Sequence, residues 1–257
     1  MRRISRKQAW GTAACTAAAL LAAPAVALAD TEDLSAQEIS DKAEKELLDA
    51  KSVHLELEQK GTDLDDEEPA TMELTLDQDD NCVGSLTMAD DGGSLELIKQ
   101  GEKVWMKPDA AFWKAQLPGG QGEAAADIIG DRYLYGTTDD ALLKDMAGVC
   151  DLKEIQQEVQ DESGDESTLK KGERTKVDGT DVIPVTGRDD GKTTTMYVAA
   201  EGTPYLVRAT EKGQGTDSTL KLSEYDKPVP KDTPSEEDSV NVSQLQGVQD
   251  GGPAGNL

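Results

Sequence analysis

The sequence predicts an α+β protein in which one long antiparallel sheet is covered by an N-terminal helix and by central helices. Two observations lead to this fold class. Segments of alternating apolar and polar residues occupy both halves of the chain, and segments with helical periodicity open it and fill its middle. Short turns join the alternating segments, and such turns favour antiparallel neighbours with one dry face and one wet face.

The first 29 residues have the composition of an export signal. A basic start, MRRISRK, precedes a small apolar run, and the sequence ALA at positions 27–29 fits the small-residue cleavage rule. A membrane anchor is disfavoured because the run is rich in alanine and contains Pro24. Sec export is favoured over the twin-arginine route that Arg2 and Arg3 suggest. We therefore expect a protein secreted to the outer side of the cell envelope; the alternative is a lipid anchor on Cys15, whose flanking residues are a poor acylation signal.

The protein is strongly acidic. The full chain has 26 Lys and Arg residues against 52 Asp and Glu residues, a net charge of −26. Residues 1–29 hold four basic and no acidic residues, so their removal takes the net charge to −30. Such a charge opposes nucleic acid and anionic membrane surfaces as partners. The simplest interpretation is a solvated acidic surface.

The first predicted helix begins after Ser35. Ser35 and Glu38 have the spacing of a capping box, and Leu34 and Ile39 are placed to form a hydrophobic staple. One face of the helix then carries the apolar residues Ala36, Ile39, Ala43, Leu47 and Ala50. This amphipathic helix needs an apolar surface to pack on.

Alternation predicts about ten strands in two sets. The first set covers residues 53–57, 72–76, 82–88, 95–99 and 103–107. The second set covers residues 170–177, 180–186, 193–198, 203–210 and 219–225.

The middle of the chain changes character. Residues 118–123 predict a flexible break and residues 124–129 a short helix, while residues 138–159 predict one helix, or two broken near Gly148. A polar linker follows at 161–167. We expect one domain over residues 30–240 and a flexible tail over residues 241–257.

Two cysteines, Cys82 and Cys150, remain after the leader is removed. In an exported protein such a pair favours a disulfide. Buried free thiols are the alternative.

Motifs that carry catalysis or metal binding are missing from the sequence. The only histidine, His54, falls on the polar face of a predicted strand, which disfavours a Ser-His-Asp site and a zinc site. Residues 77–81 resemble the start of a calcium loop, but Cys82 stands where that loop needs glycine. We therefore expect a protein that is not an enzyme and has no cofactor and no metal.

The last third of the chain carries a family resemblance. Residues 196–209 read MYVAAEGTPYLVRA and residues 222–229 read LSEYDKPV, followed by a Pro-rich exit. The opening helix and GEKVWMKP at 101–108 fit the first half of the same pattern. This pattern resembles the LolA-like lipid carriers, in particular the actinobacterial branch with the LppX, LprA, LprF and LprG lipoproteins. The resemblance covers roughly residues 33–240 without a single diagnostic motif.

The resemblance implies a half-open β-barrel with an apolar hollow for acyl chains. Its ligand would be a lipid or a lipid-linked molecule, and an envelope protein is a further partner; we expect a monomer. Two features depart from the family. Cys15 is a poor anchor site, and many core positions hold Leu, Val, Ala or Thr, which predicts a smaller or filled hollow.

The stretch EKVWMKPDAAFWKAQL at 102–117 holds both Trp residues and the one Phe of the chain beyond the leader. In a half-barrel this stretch leads from the sheet to the covering helices, next to the mouth. The residues predicted to bind lipid are Trp105, Phe112, Trp113, Ile128, Ile129, Leu142 and Met146. Ordinary core packing is the favoured interpretation of each aromatic residue taken alone. Val104 and Met106 alternate with Trp105, so one of these two sets must face away from the hollow.

Two other classes of function remain open at this point. The same fold would serve as an extracellular sensor or protein-binding domain. A structural domain, whose hollow is filled by its own side chains, is the other alternative.

Overall fold

The computed structural model describes residues 31–61, 64, 68–117, 119–162 and 168–243. The predicted leader at 1–29, including Cys15, lies outside the described residues. So do most of the predicted linker at 161–167 and the predicted tail beyond residue 243.

Five α-helices are present in the described part of the chain. They are α1 Ala36–Asp49, α2 Ala110–Gln116, α3 Gln121–Ile129, α4 Ala141–Gly148 and α5 Leu152–Glu162. The predicted start of α1 is confirmed, because Glu38 N donates to Ser35 Oγ at 3.3 Å and Ser35 N donates to Glu38 Oε2 at 2.9 Å. The region predicted as one helix or two is two helices, and Cys150 lies between them.

The described strands number thirteen, three more than the sequence predicted. They are β1 Ser52–Gly61, β2 Pro69–Asp77, β3 Asn81–Met88, β4 Ser94–Gln100, β5 Lys103–Pro108, β6 Tyr133–Thr137, β7 Lys170–Lys171, β8 Thr175–Val177, β9 Thr180–Asp189, β10 Lys192–Ala199, β11 Leu206–Gly213, β12 Thr216–Ser223 and β13 Ser239–Asn241. The strand predicted over 170–177 is two short strands, β7 and β8. Both pair with β9.

The strands form one open, curved sheet that joins both halves of the chain. Its order is β13-β6-β5-β4-β3-β2-β1-β12-β11-β10-β9-β7, with β8 on β9 beside this path. All described pairs are antiparallel except β13 with β6. β1 lies between β2 and β12, so the N-terminal and C-terminal strand sets meet there. The predicted long antiparallel sheet is confirmed.

Helices pack on one face of the sheet, which we call the inner face and which carries Leu55 and Leu74. α1 packs on β9, β10 and β11, where Ile39 and Ala43 meet Ile183 in a small core. α2 packs on β4, and α4 packs on β5 and β6, above the main core. α5 packs against α1.

The stretch after β5 differs from its prediction. No helix was predicted between β5 and the flexible break at 118–123, but α2 forms there with Asp109 as its N-cap. Two glycines allow α2 to pack closely. A Cβ on Gly93, which has φ of 81°, would come within 2.0 Å of Phe112 N, and a Cβ on Gly122 would come within 2.2 Å of Trp113 O.

The described core continues past residue 240. Val240 and Val242 are both buried, and Val242 belongs to the main core. β13 adds Val240 to the sheet by pairing with β6, and Val242 directly follows this strand.

Candidate functional site

The inner face carries a row of apolar side chains that crosses five neighbouring strands. Met72 pairs with Leu57, Leu57 with Leu220, Leu220 with Ala209, and Ala209 with Met196. All five side chains are half-buried, whereas Leu55, Leu74 and Leu222, two residues along on β1, β2 and β12, are buried. We call these five residues the inner row. It is an apolar surface that the protein's own helices cover only in part.

Burial falls steadily along β1 toward the inner row. Val53 is 1% exposed and Leu55 is 7% exposed, while Leu57 is half-buried. Helix α5 has the same gradient, since Leu152 is buried and Ile155 and Val159 are half-buried. The core is therefore closed at one end of the sheet and opens toward the other.

A disulfide and a buried amide hold the closed end together. The disulfide joins Cys82 on β3 to Cys150 between α4 and α5, as predicted. The Gln156 side chain of α5 donates to Leu47 O and to Ala50 O at the end of α1, both at 2.9 Å. Gln78, in the β2–β3 turn, donates to Gln156 Oε1 at 3.1 Å. These bonds fix α1 and α5 to the sheet at the fully buried end of the core.

The helices leave the middle of the inner face between two groups. α1 lies over β9–β11 on one side, and α2 and α4 lie over β4–β6 on the other. Strands β2, β1 and β12, with three members of the inner row, lie between these groups. We call the space over the inner row, between these two helix groups, the hollow; Ile155 and Val159 of α5 also pack half-buried against the main core.

Four of the seven predicted lipid-binding residues come together in the main core. Phe112 and Trp113 of α2 and Ile129 of α3 are buried there, and Met146 of α4 packs against them half-buried. The Phe112 and Trp113 rings meet edge to face, with centroids 6.3 Å apart.

The other three predicted residues lie elsewhere. Trp105 is on the outer face, opposite to Val104 and Met106, and stacks on Tyr135 with ring centroids 4.9 Å apart. Ile128 is 54% exposed and Leu142 is 44% exposed. Their sequence neighbours Ile129 and Leu143 are buried instead, because α3 and α4 turn those positions toward the core.

One buried donor in the main core has no hydrogen-bond partner among the described residues. It is Trp113 Nε1, on a side chain that is 6% exposed. An unpaired buried N–H costs free energy unless a ligand or water accepts from it. This indole is therefore a polar group on an otherwise apolar wall.

The start of α2 is held by the Asp109 carboxylate. Oδ1 accepts from Phe112 N at 2.7 Å, and Oδ2 accepts from Ser94 N and from Ser94 Oγ. Burial works to raise the pKa of Asp109, but the hydrogen bonds from Phe112 and Ser94 prevail and hold it below its usual value. Asp109 thus ties the helix that carries the two buried aromatic residues to the β3–β4 turn.

The outer face of β1, β2 and β12 is polar. His54 Nδ1 lies 2.9 Å from Thr75 Oγ1, and its Nε2 lies 3.9 Å from carboxylate oxygens of Glu56 and Glu73. Lys221 donates to Glu56 at 2.8 Å. Within the described ranges, no group of three His, Cys, Asp or Glu side chains is arranged to hold a metal ion.

The chain has the open half-barrel architecture of the LolA-like fold. Two solved structures share it. Lipoprotein LppX from Mycobacterium tuberculosis is 17% identical, with a TM-score of 0.50 over 77% of this chain and 98% of LppX. LprF from Mycobacterium bovis is 14% identical, with a TM-score of 0.55 over 78% of this chain and 97% of LprF. The resemblance drawn from the sequence is confirmed at the level of the fold.

No family model and no curated protein sequence matches the chain. None of the described helices has the length and apolar character that crossing a membrane requires.

Proposed function

We propose that the protein is an exported envelope protein that binds the acyl chains of a lipid in the hollow, without catalysis. The observation that carries this proposal is the inner row, an apolar strip across five strands that the helices leave half exposed. Neighbouring strands lie about 4.8 Å apart, so the strip is about 19 Å long. That length suits an extended apolar chain.

The driving force is the removal of acyl chain from water. Each buried CH₂ group contributes about 0.8 kcal/mol, so a chain lying along the inner row is stabilised without any polar contact. A bound lipid also covers the half-exposed apolar side chains of the inner row, which otherwise contact water. The free-energy cost of exposing these CH₂ groups to water also explains why a lipid needs a carrier to leave a membrane at a useful rate.

Six of the seven predicted residues would take part in lipid binding. Phe112, Trp113, Ile129 and Met146 would face the bound chain as α2, α3 and α4 shift outward. Ile128 and Leu142 would make the first contact with lipid, because they are the exposed apolar residues of α3 and α4. Trp105 lies on the other face of the sheet and has no part in this site.

The unpaired Trp113 indole suggests which lipids the hollow prefers. An ester carbonyl can accept a hydrogen bond from Nε1, and a plain hydrocarbon cannot. We therefore propose an ester-linked acyl chain as the ligand class.

Transfer of a fluorescent acyl phospholipid from vesicles to the purified chain tests the proposal. Leu220→Asn places a polar group in the inner row, and we expect about tenfold weaker uptake, equivalent to about 1.4 kcal/mol. Thr219→Asn is the matched control, because Thr219 is the adjacent half-buried residue of β12 and faces outward. Equal uptake by both variants, or none by the wild-type chain, would contradict the proposal.

A further inference from the structure

Trp105 and Tyr135 belong to a second site, on the outer face of the sheet. A pocket of about 550 Å³ lies at the edge where β5, β6 and β13 meet. Its lining combines an aromatic pair with polar groups: Lys103, Trp105, Tyr135, Pro234, Ser235, Glu236, Ser239 and Asn241. Because β-strand side chains alternate between faces, this pocket and the inner row are separated by the sheet itself.

The aromatic pair forms one wall of this outer pocket. Trp105 and Tyr135 are cross-strand partners, and their rings stack at an interplanar angle of 27°. Tyr135 is half-buried, while Trp105 is 7% exposed. Trp105 therefore supports the stack, and Tyr135 offers the more open ring surface.

The part of the lining contributed by β13 and the turn before it is held in place by hydrogen bonds. β13 pairs with β6, which sets Ser239 beside Tyr133 and Asn241 beside Tyr135. The turn before β13 is closed by Ser235, whose Oγ donates to Asp238 Oδ2 at 2.7 Å and accepts from Asp238 N at 3.2 Å. The pocket is thus preformed, as small-molecule sites usually are.

Polar groups in the pocket remain available to a ligand. Ser239 Oγ is buried and has no partner among the described residues. Asn241 Oδ1 accepts from Ser243 N at 2.9 Å, and no described residue accepts from its amide nitrogen. Glu236 adds acceptors and Lys103 adds donors at the exposed rim.

We propose that this outer pocket binds a neutral saccharide chain. Sugars present an apolar C–H face that packs on an aromatic ring and hydroxyl groups that both donate and accept. An open tyrosine ring beside a hydroxyl, an amide and a carboxylate matches both requirements. A polar lining disfavours an acyl chain, and the net charge of the protein disfavours an anionic glycan. This inference does not depend on lipid binding in the hollow.

Indole N–H signals in ¹H–¹⁵N NMR spectra test the proposal on the chain from Asp30 to Leu257. Only Trp105 and Trp113 contribute such signals, and Trp113→Phe assigns them. The probes are hexasaccharides of mannose, arabinose, glucose and N-acetylglucosamine, each at about 5 mM, above the Kd of ~1 mM that a weak site would have. We expect at least one probe to shift the Trp105 signal and to leave the Trp113 signal in place.

Substitutions inside and outside the pocket test whether the saccharide binds specifically to the pocket residues. Tyr135→Ala and Asn241→Ala should each weaken the responding saccharide about tenfold, the effect of losing roughly 1.4 kcal/mol. Tyr197→Ala is the control, because Tyr197 is half-buried on β10 and lies outside the pocket. The proposal is overturned if no probe moves the Trp105 signal, or if Tyr197→Ala weakens binding as much as Tyr135→Ala does.

Discussion

Cys82 on β3 and Cys150 between α4 and α5 are joined by a disulfide that spans 68 residues, with Cα atoms 5.5 Å apart. The bond ties the connection between α4 and α5 to β3, where the core is fully buried. The inner row lies toward the opposite end, where burial decreases along both β1 and α5. The molecule is crosslinked at one end of the core, and its inner-face apolar side chains are half-buried at the other.

Removal of the disulfide should lower stability without changing the fold. A crosslink across this separation restricts the unfolded chain by about 4 kcal/mol in the chain-entropy model. We expect the Cys82→Ser, Cys150→Ser double variant to lose about that much free energy of unfolding in urea. A loss below about 1 kcal/mol would show that the crosslink is not a structural element of this end of the core.

Gln156 should be more important for stability than its exposed neighbour. Gln156→Ala removes the two hydrogen bonds to Leu47 O and Ala50 O and the one from Gln78, each worth about 0.5–1.5 kcal/mol, while Ala50 O keeps a bond from Gln78 and Leu47 O one from Ala50 N. We expect a clear drop in the urea midpoint. Gln157→Ala, on the exposed face of α5, should stay within about 0.5 kcal/mol of the wild type. Similar effects of the two substitutions would argue against the amide contact.

Acid should loosen α2 through Asp109. The folded-state pKa of this carboxyl lies below its usual value of 3.8, so its stabilising contribution is complete above pH 3.8 and is lost as pH falls through the folded pKa. Asp109→Asn keeps a capping side chain but cannot ionise. Trp113 fluorescence during acid titration should therefore change less steeply below pH 3.8 in this variant. Identical titration curves would contradict the assigned role.

Exposed apolar residues of α3 and α4 should control the rate of lipid uptake more than its extent. Ile128→Ser and Leu142→Ser remove contacts that we propose lipid meets first, and neither side chain belongs to the core. We expect stability within about 0.5 kcal/mol of the wild type and slower transfer from vesicles, at unchanged final loading. The result would contradict the proposed route if the rates do not change in either variant.

Trp113→Phe should separate lipids by their chemistry. The variant retains an aromatic ring but removes the unpaired Nε1 donor. Binding of an acyl ester should weaken by about 1 kcal/mol more than binding of an alkane of equal length. Competition with a fluorescent lipid measures both. Equal losses of binding free energy for the acyl ester and the alkane would contradict the proposal that the ligand is an ester-linked acyl chain.

Sequence pattern predicted the sheet well because strand alternation is a local signal. Ser35 and Glu38 likewise marked the start of α1 correctly. β6 and β13 were not predicted; β13 has only three residues and forms by pairing with β6 across a long sequence separation. Asp109 before the run AAFWKAQ is an N-cap signal for α2, but the glycine-rich residues that follow favour a flexible segment.

The site was harder to predict than the fold. Leu57 and Leu55 have the same alternation in the sequence, and only the strand register and the helix positions leave one half exposed and the other buried. Adjacent helix residues raise the same difficulty at Ile128 and Ile129. Trp105 could be assigned to the face opposite Val104, but the sequence did not say which face bordered the hollow.

Native mass spectrometry of the exported chain, purified without detergent, tests the central claim most directly. The account predicts a mass above that of the polypeptide, and the excess should extract as acyl lipid. Leu220→Asn should lose most of this excess, while Thr219→Asn should keep it. A wild-type chain at its polypeptide mass, which also takes up no lipid when incubated with vesicles, would contradict lipid binding in the hollow.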